Sequence, residues 1–248
     1  MAYNVYILHE VRSGSTFLSE LLNKTKLFNP VLGEYFLPHY DKKLNSYRIM
    51  PNNKFNGDKY FIDGQKLNLS NIRDEYPNMR FIHIYRKDFI GIAVSIFLAR
   101  KTKIFNIFNN KYRRVFYKFN DFEKMYKDAF GDDYSEINSA HNAFYMLREY
   151  QQAIYIKDRY DKEILKYNIE VLKICYEDFM IDSITELKKV FSYLDIPECY
   201  MDKIPLNEES IMRNKFPDVY NKARRVLVSA IDIYNKYKDL GMDNQIGD

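Results

Sequence analysis

The chain has 248 residues, 46% of them apolar, and its 38 Lys and Arg against 34 Asp and Glu give a net charge of +4. With only 8 Gly and 7 Pro, this composition excludes a disordered, low-complexity or collagen-like chain, and the length allows a sizeable core. The net charge is too small to require a polyanionic partner.

Cysteine content and hydropathy narrow the class of protein further. Cys175 and Cys199 are too few for a disulfide framework, and with the four histidines they show no metal-binding spacing, so no metal is expected. The longest apolar run, Phe89 to Ala99, is shorter than the ~20 residues of a membrane helix. The N-terminus lacks the basic start and long apolar core of a signal peptide. We therefore expect a cytoplasmic protein without a transmembrane segment.

Hydrophobic patterns predict strands that alternate with helices. After a first strand at 3–8, residues Phe17, Leu18, Leu21 and Leu22 recur at helical spacing, with Ser15 or Thr16 placed to cap the helix. Further strands are predicted near 59–62 and at 79–85 and 169–175, and further helices at 88–101, 136–160, 183–194 and 218–238. This alternation is typical of a three-layer α/β fold with a mainly parallel central sheet. No linker or repeat divides the chain, so we expect a single domain over 1–248.

The loop between the first strand and the first helix predicts an anion site like that of a P-loop. A helix N-terminus presents backbone N–H groups and a positive dipole end to an anion. Arg12 adds a planar cation suited to phosphate, and Ser13, Ser15 and Thr16 add hydroxyl donors. The loop has no lysine and no second glycine at the positions of a nucleotide-kinase loop, so that class is disfavoured. A capped helix with an incidental arginine remains the alternative.

A second polar pattern follows the strand at 79–85. Arg86 comes directly after the strand, and Ser95 lies nine residues later, about two turns into the next helix and on the same face as Asp88. Two such patterns, each where a strand gives way to a helix, are more specific than either alone.

These segments resemble a known family. Arg12 to Leu18 resembles the 5′-phosphosulfate loop of sulfotransferases that use 3′-phosphoadenosine-5′-phosphosulfate (PAPS), and Tyr85 to Asp88 followed by Ala93 to Ser95 resembles their 3′-phosphate clamp. The branch most similar is that of the bacterial trehalose (carbohydrate) sulfotransferases. Its further signatures resemble Gly33 to Phe36, Ala99 to Thr102, Cys175 to Phe179 and Met212 to Lys215. The least matched stretch, about 103–133, would be a variable basic and aromatic insertion.

The resemblance implies a sulfotransferase/nucleoside-kinase-like fold and an enzyme that moves a sulfuryl group from PAPS to a hydroxyl of a carbohydrate or glycolipid. The product would be adenosine 3′,5′-bisphosphate. The transfer would be in line, with Glu34 as the carboxylate base and His39 or His9 as alternative bases. Arg12 and Lys66 would stabilise charge in the reaction. The nucleotide would be held by Arg12, Ser13, Gly14, Ser15, Thr16, Arg86, Ser95 and Arg213. The branch also suggests a homodimer.

Other residues carry weaker expectations. Glu177 and Asp178 end a predicted strand, where they would cap the next helix or pair with a base, and His83 is expected in the core. Residues 101–118 hold basic and aromatic side chains with no acidic residue. They support the alternative of a non-catalytic nucleotide- or nucleic-acid-binding protein, although a nucleic-acid partner is disfavoured. The acceptor and the oligomeric state are left open by the sequence.

Overall fold

The structure is a computed structural model, and it describes residues 3–27, 55–61, 74, 79–102, 127–204 and 217–239. The chain divides into two compact units. The first consists of Met1–Lys87 with Ile154–Ile211, and the second of Asp88–Ala153 with Met212–Asp248. The single domain expected from the sequence remains a prediction.

Among the described residues of the first unit, four parallel strands form a sheet in the order β2-β1-β3-β4. The strands are β1 Tyr3–His9, β2 Phe55–Phe61, β3 Met79–Tyr85 and β4 Val171–Cys175. The helices are α1 Ser15–Lys24, α2 Phe89–Thr102, α3 Ala140–Lys166, α4 Tyr176–Ile181, α5 Ser183–Tyr193 and α6 Pro217–Asp239. Short 3-10 helices occupy Ser135–Asn138 and Glu198–Lys203. The predicted α/β class with a parallel sheet is confirmed.

Three local predictions were wrong. The second strand spans Phe55–Phe61 rather than 59–62. Its first half is mostly polar and shows no apolar pattern, so the sequence did not indicate where it begins. Pairing with β1, from Tyr3↔Phe55 onward, determines its bounds. The long helix begins at Ala140 rather than at 136, since a 3-10 helix and an extended Ser139 precede it. The N-cap of α1 is Gly14, in a left-handed conformation with φ 91°, and neither Ser15 nor Thr16 caps the helix.

Helices cover both faces of the sheet, as a three-layer fold requires. Successive residues of a strand point to opposite faces. Val5 and Ile7 of β1 pack with α1 and α5, and Tyr6 and Leu8 pack with α3. Because both faces are buried, β1 and β3 are almost continuously apolar. This packing fixes the carboxyl ends of the strands, from which the candidate site is built.

The second unit is built on the packing of α2 against α6. Its core includes the fully buried Phe97, Phe130 and Leu227. Asp88 precedes α2, accepts a hydrogen bond from the Gly91 N–H at 2.9 Å, and is bound by Arg224 of α6 through contacts of 2.9 and 2.7 Å. Among the described helices, none is both long enough and apolar enough to span a membrane.

Candidate functional site

The loop after β1 makes a tight turn into α1. Arg12 adopts φ 64° and Gly14 adopts φ 91°, both in the left-handed region. The Ser13 N–H donates to the carbonyl of Glu10 at 3.3 Å, and the Leu18 N–H donates to the carbonyl of Gly14 at 3.0 Å. The amino end of α1 therefore faces the carboxyl edge of the sheet, as a helix that binds an anion must.

Gly14 is required here for space as well as for conformation. A Cβ atom at this position would lie 2.7 Å from Cε2 of Tyr176, which is closer than carbon atoms approach in proteins. Tyr176 is the first residue of α4. Its ring therefore supports the loop from the side of β4.

Arg86 reaches the same loop from the end of β3. Its Nη1 donates to the carbonyl of Arg12 at 3.4 Å, and its Nε donates to Oε1 of Glu177 at 3.3 Å. The guanidinium carbon lies 4.9 Å from the centroid of the Tyr176 ring. These three contacts hold the Arg86 side chain in place. It remains 15% exposed, so a ligand can still reach it from solvent. Arg12 and Arg86, two of the predicted nucleotide-binding residues, are thus brought together.

Glu177 joins the carboxyl ends of β3 and β4. Its Oε2 accepts hydrogen bonds from the backbone N–H of Lys87 at 3.0 Å and from the thiol of Cys175 at 3.2 Å. Burial, with a contribution from the Glu177 hydrogen bond, raises the pKa of Cys175, which keeps this thiol protonated. The pKa of the exposed Lys87 is raised by its hydrogen bond to Asp178. Glu177 and Asp178 lie in the first turn of α4 and pair with Arg86 and Lys87, respectively.

The loop also contains a buried hydroxyl suited to an oxyanion. Ser13 is fully buried, and its Oγ has no hydrogen-bond partner among the described residues. Buried hydroxyl groups are nearly always hydrogen-bonded, so an orphaned one in an anion-type loop fits a phosphate oxygen as its partner. Together with the left-handed Gly14 and the amino end of α1, this hydroxyl fits a phosphate group.

The other predicted residues are distributed as follows. Ser15 is buried and Thr16 half-buried in the first turn of α1. Ser95 lies in the second turn of α2, as predicted, and belongs to the second unit. His9 is 2% exposed, and its Nδ1 lies 3.0 Å from the Glu10 carbonyl. Glu34, Lys66, His39 and Arg213 lie outside the described residues, as does most of the 101–118 segment.

Two residues of this region had no predicted role. Tyr176 belongs to a segment quoted for the family resemblance, yet nothing in the sequence indicates that its ring contacts the loop. Oε1 of Glu10 lies 3.1 Å from Nε2 of His83, with both side chains buried, and no sequence pattern indicates this contact.

Within the described ranges, no group of three or more His, Cys, Asp or Glu side chains is placed to hold a metal ion.

Comparison with solved structures adds a similarity of fold. No protein-family model and no curated protein matches the sequence. The crystal structure of mouse sulfotransferase SULT7A1 complexed with PAP resembles the chain with a TM-score of 0.42 and 15% identity, over 92% of this chain and 65% of that chain. This chain therefore spans 65% of the length of that relative. A similarity of this extent does not assign a function.

Proposed function

We propose that the chain is a PAPS-dependent sulfotransferase that moves a sulfuryl group to a hydroxyl acceptor. The observation that carries the proposal is the hydrogen bond from Nη1 of Arg86 to the backbone carbonyl of Arg12, 3.4 Å long, at the carboxyl edge of two adjacent parallel strands. A nucleotide with separate 3′ and 5′ phosphates needs two cationic positions within its own length, and arginine forks suit both phosphates.

In this proposal, each of the two arginines binds one phosphate of the nucleotide. Arg12, the orphaned Ser13 hydroxyl and the N–H groups that open α1 hold the 5′-phosphate. Arg86 holds the 3′-phosphate, with its guanidinium fixed by Glu177 and Tyr176. The family resemblance implies the same role for Ser95 and Arg213.

The chemistry asks mainly for positioning and for stabilisation of charge. An acceptor hydroxyl attacks the sulfur, an S–O bond forms to the acceptor, and the S–O bond to the 5′-phosphate breaks. In this scheme Glu34 is the general base that accepts the proton of the acceptor hydroxyl. A positioned base of this kind contributes ~10²–10⁴-fold to the rate. Arg12 and Lys66 stabilise the negative charge that develops on the phosphate and sulfuryl oxygens. No step in this scheme requires a metal.

The acceptor is assigned on the resemblance alone. The likeness to the trehalose branch favours a hydroxyl of a carbohydrate or glycolipid, and the same branch favours a homodimer. Gly33 to Phe36 carry this part of the proposal.

Calorimetric titration with adenosine 3′,5′-bisphosphate, adenosine 5′-monophosphate and ATP tests the donor site. We expect the bisphosphate to bind most tightly, because it alone supplies a phosphate for both arginines. Absence of binding, or no preference for the 3′-phosphate, would refute the proposal. Incubation with radiolabelled PAPS and a panel of sugars then tests turnover. Binding without transfer to any hydroxyl would favour the non-catalytic alternative.

A further inference from the structure

Two arginines of the second unit, on different helices, lie over the same tyrosine ring. Arg100 is in the last turn of α2 and Arg148 is in α3, and their guanidinium carbons lie 5.7 and 5.3 Å from the centroid of the Tyr145 ring. Nη1 of Arg100 also donates a hydrogen bond to the Tyr145 hydroxyl. An aromatic ring attracts a cation to its face, so the tyrosine holds both side chains in place. The proposed sulfuryl transfer assigns no role to these three residues.

Glu149 brings the two guanidinium groups together. Its Oε1 lies 3.3 Å from Nη1 of Arg100 and 3.7 Å from Nη2 of Arg148. Because both nitrogens contact the same oxygen atom, the two guanidinium groups are neighbours. Arg100 and Arg148 are therefore called the arginine pair below.

The arginine pair is open to solvent, whereas the carboxylate that it shares is not. The side chains of Arg100 and Arg148 are 52% and 62% exposed, and that of Glu149 is 9% exposed. Two neighbouring cations repel each other, and one carboxylate offsets the charge of only one of them. A second anion on the exposed side would therefore be stabilised. Guanidinium groups present planar sets of N–H donors, which suit the oxygens of a carboxylate or sulfate group.

An exposed aromatic ring lies next to the arginine pair. Phe144 is 59% exposed and precedes Arg148 by four residues in α3, so the two side chains lie on the same face of the helix. The apolar C–H face of a sugar ring can cover an exposed phenyl ring and remove its surface from water. A ligand that matches both features has an anionic group attached to a sugar ring, whereas a lone sulfate ion would match only the arginine pair.

We propose that Arg100 and Arg148 bind the carboxylate or sulfate group of an acidic sugar, whose ring packs on Phe144. Glu149 and Tyr145 are the positioning residues of this site, because they hold the two guanidinium groups side by side. The inference goes beyond the proposed function, since binding of the sugar requires neither the nucleotide nor sulfuryl transfer.

NMR titration of the whole chain with two matched pairs of sugars tests the site. Glucuronic acid is compared with glucose, and N-acetylglucosamine 6-sulfate with N-acetylglucosamine, so that the anionic group distinguishes the members of each pair. We expect an acidic sugar to bind about tenfold more tightly than its neutral counterpart, and the pair that shows this difference identifies the anionic group. Equal binding of acidic and neutral sugars in both pairs would overturn the inference. If inorganic sulfate binds as tightly as the acidic sugars, the site takes an adventitious ion only and the inference is wrong.

Substitutions of exposed side chains locate the binding. Arg148→Gln should weaken binding of the acidic sugar about tenfold and leave the neutral sugars unaffected. Phe144→Ala should weaken it about threefold without changing the binding of inorganic sulfate, and no loss would contradict the contact with the sugar ring. Arg225→Gln is the matched control, since Arg225 is an exposed arginine of α6 next to Arg224, which binds Asp88 at the other end of α2. Equal losses in the two arginine variants would show that only net charge matters, and would contradict a site at the arginine pair.

Saturation with adenosine 3′,5′-bisphosphate separates this inference from the proposed function. The wild-type protein should bind the acidic sugar equally well with and without the bisphosphate. Loss of sugar binding on saturation would show that the arginine pair belongs to the nucleotide site, and would overturn the inference. A protein that binds the acidic sugar but not the bisphosphate would refute the proposed function and support this inference, and the reverse result would do the opposite.

Discussion

The ring of Tyr176 lies between Gly14 and Arg86, against the glycine on one side and 4.9 Å from the guanidinium carbon of the arginine. Such a cation–π contact contributes about 0.5–2 kcal/mol, depending on how far it is shielded from water. One aromatic side chain at the start of α4 therefore fixes both the loop and the arginine that meets it.

Replacement of Arg86 tests the proposed 3′-phosphate contact. Arg86→Ala should weaken binding of adenosine 3′,5′-bisphosphate about 10- to 100-fold, because hydrogen bonds to a charged group contribute about 1.5–3 kcal/mol. Binding of adenosine 5′-monophosphate should change little, so the preference between the two ligands disappears in calorimetric titration. Arg80→Ala is the matched control, since Arg80 lies at the other end of β3, paired with Asp195 at 2.6 Å. Equal losses for both ligands would contradict this assignment.

Glu177 should act through Arg86. Glu177→Ala removes the acceptor of the Arg86 Nε–H, so the guanidinium loses its orientation and bisphosphate affinity should fall about tenfold. In a double-mutant cycle with Arg86→Ala, the two losses should not add. Asp178→Asn is the control, because its pair with Lys87 is largely exposed and such pairs contribute little. Additive losses would show that Glu177 affects binding by another route.

The position of Arg86 was predictable from the sequence, and its partners were not. The apolar run of β3 marks where the strand ends, so a polar residue directly after it is placed at the sheet edge. The contacts of Arg86 with Tyr176 and Glu177 depend on the pairing of β3 with β4, in which Tyr85 lies opposite Cys175. That register brings together residues about ninety positions apart, and no local periodicity encodes it.

The same reasoning applies to the loop. Its Gly and Ser content indicates a turn before a helix, yet Gly14 rather than a hydroxyl residue forms the N-cap, because the ring of Tyr176 occupies the space of a side chain. The contact of Glu10 with His83 arises from the β1–β3 register, so it too was not predictable from local sequence. Local pattern thus predicts the elements, and long-range register determines which side chains meet.

Gly14→Ala should destabilise the protein more than an ordinary glycine substitution. A left-handed φ costs a non-glycine residue roughly 1–3 kcal/mol, and the collision with the Tyr176 ring adds to this. Gly131→Ala is the matched control, since Gly131 has φ 76° but its added Cβ would meet nothing closer than 3.7 Å. Urea unfolding should therefore show a larger loss at position 14, and Tyr176→Ala should recover part of it. Equal losses at the two glycines would contradict the steric account.

Asp88 has two roles in the second unit, and two substitutions separate them. Asp88→Asn keeps an oxygen that accepts the Gly91 N–H but loses the charge paired with Arg224, so it should cost at most about 1 kcal/mol. Asp88→Ala also removes the cap and should cost about 1 kcal/mol more. Denaturant unfolding of both variants measures the difference. If the two substitutions are equally destabilising, the oxygen does not cap α2.

Asp161 should make the stability of the first unit depend on pH in the acidic range. Partial burial opposes its ionisation, but hydrogen bonds from Lys157 at 2.7 Å and Lys173 at 2.8 Å prevail and lower its pKa. A carboxyl group with a lowered pKa contributes stability above its unfolded-state pKa of about 3.9, and that contribution is lost as the pH falls through the folded-state value. Asp161→Asn should therefore cost about 0.5–1 kcal/mol at neutral pH, less in high salt, and progressively less below about pH 4. Asp158→Asn, on the exposed face of the same helix, should show a smaller and flatter difference. Urea unfolding at several pH values measures both, and a deficit for Asp161→Asn that persists undiminished at the acid end would show that the two lysines do not stabilise the ionised carboxylate.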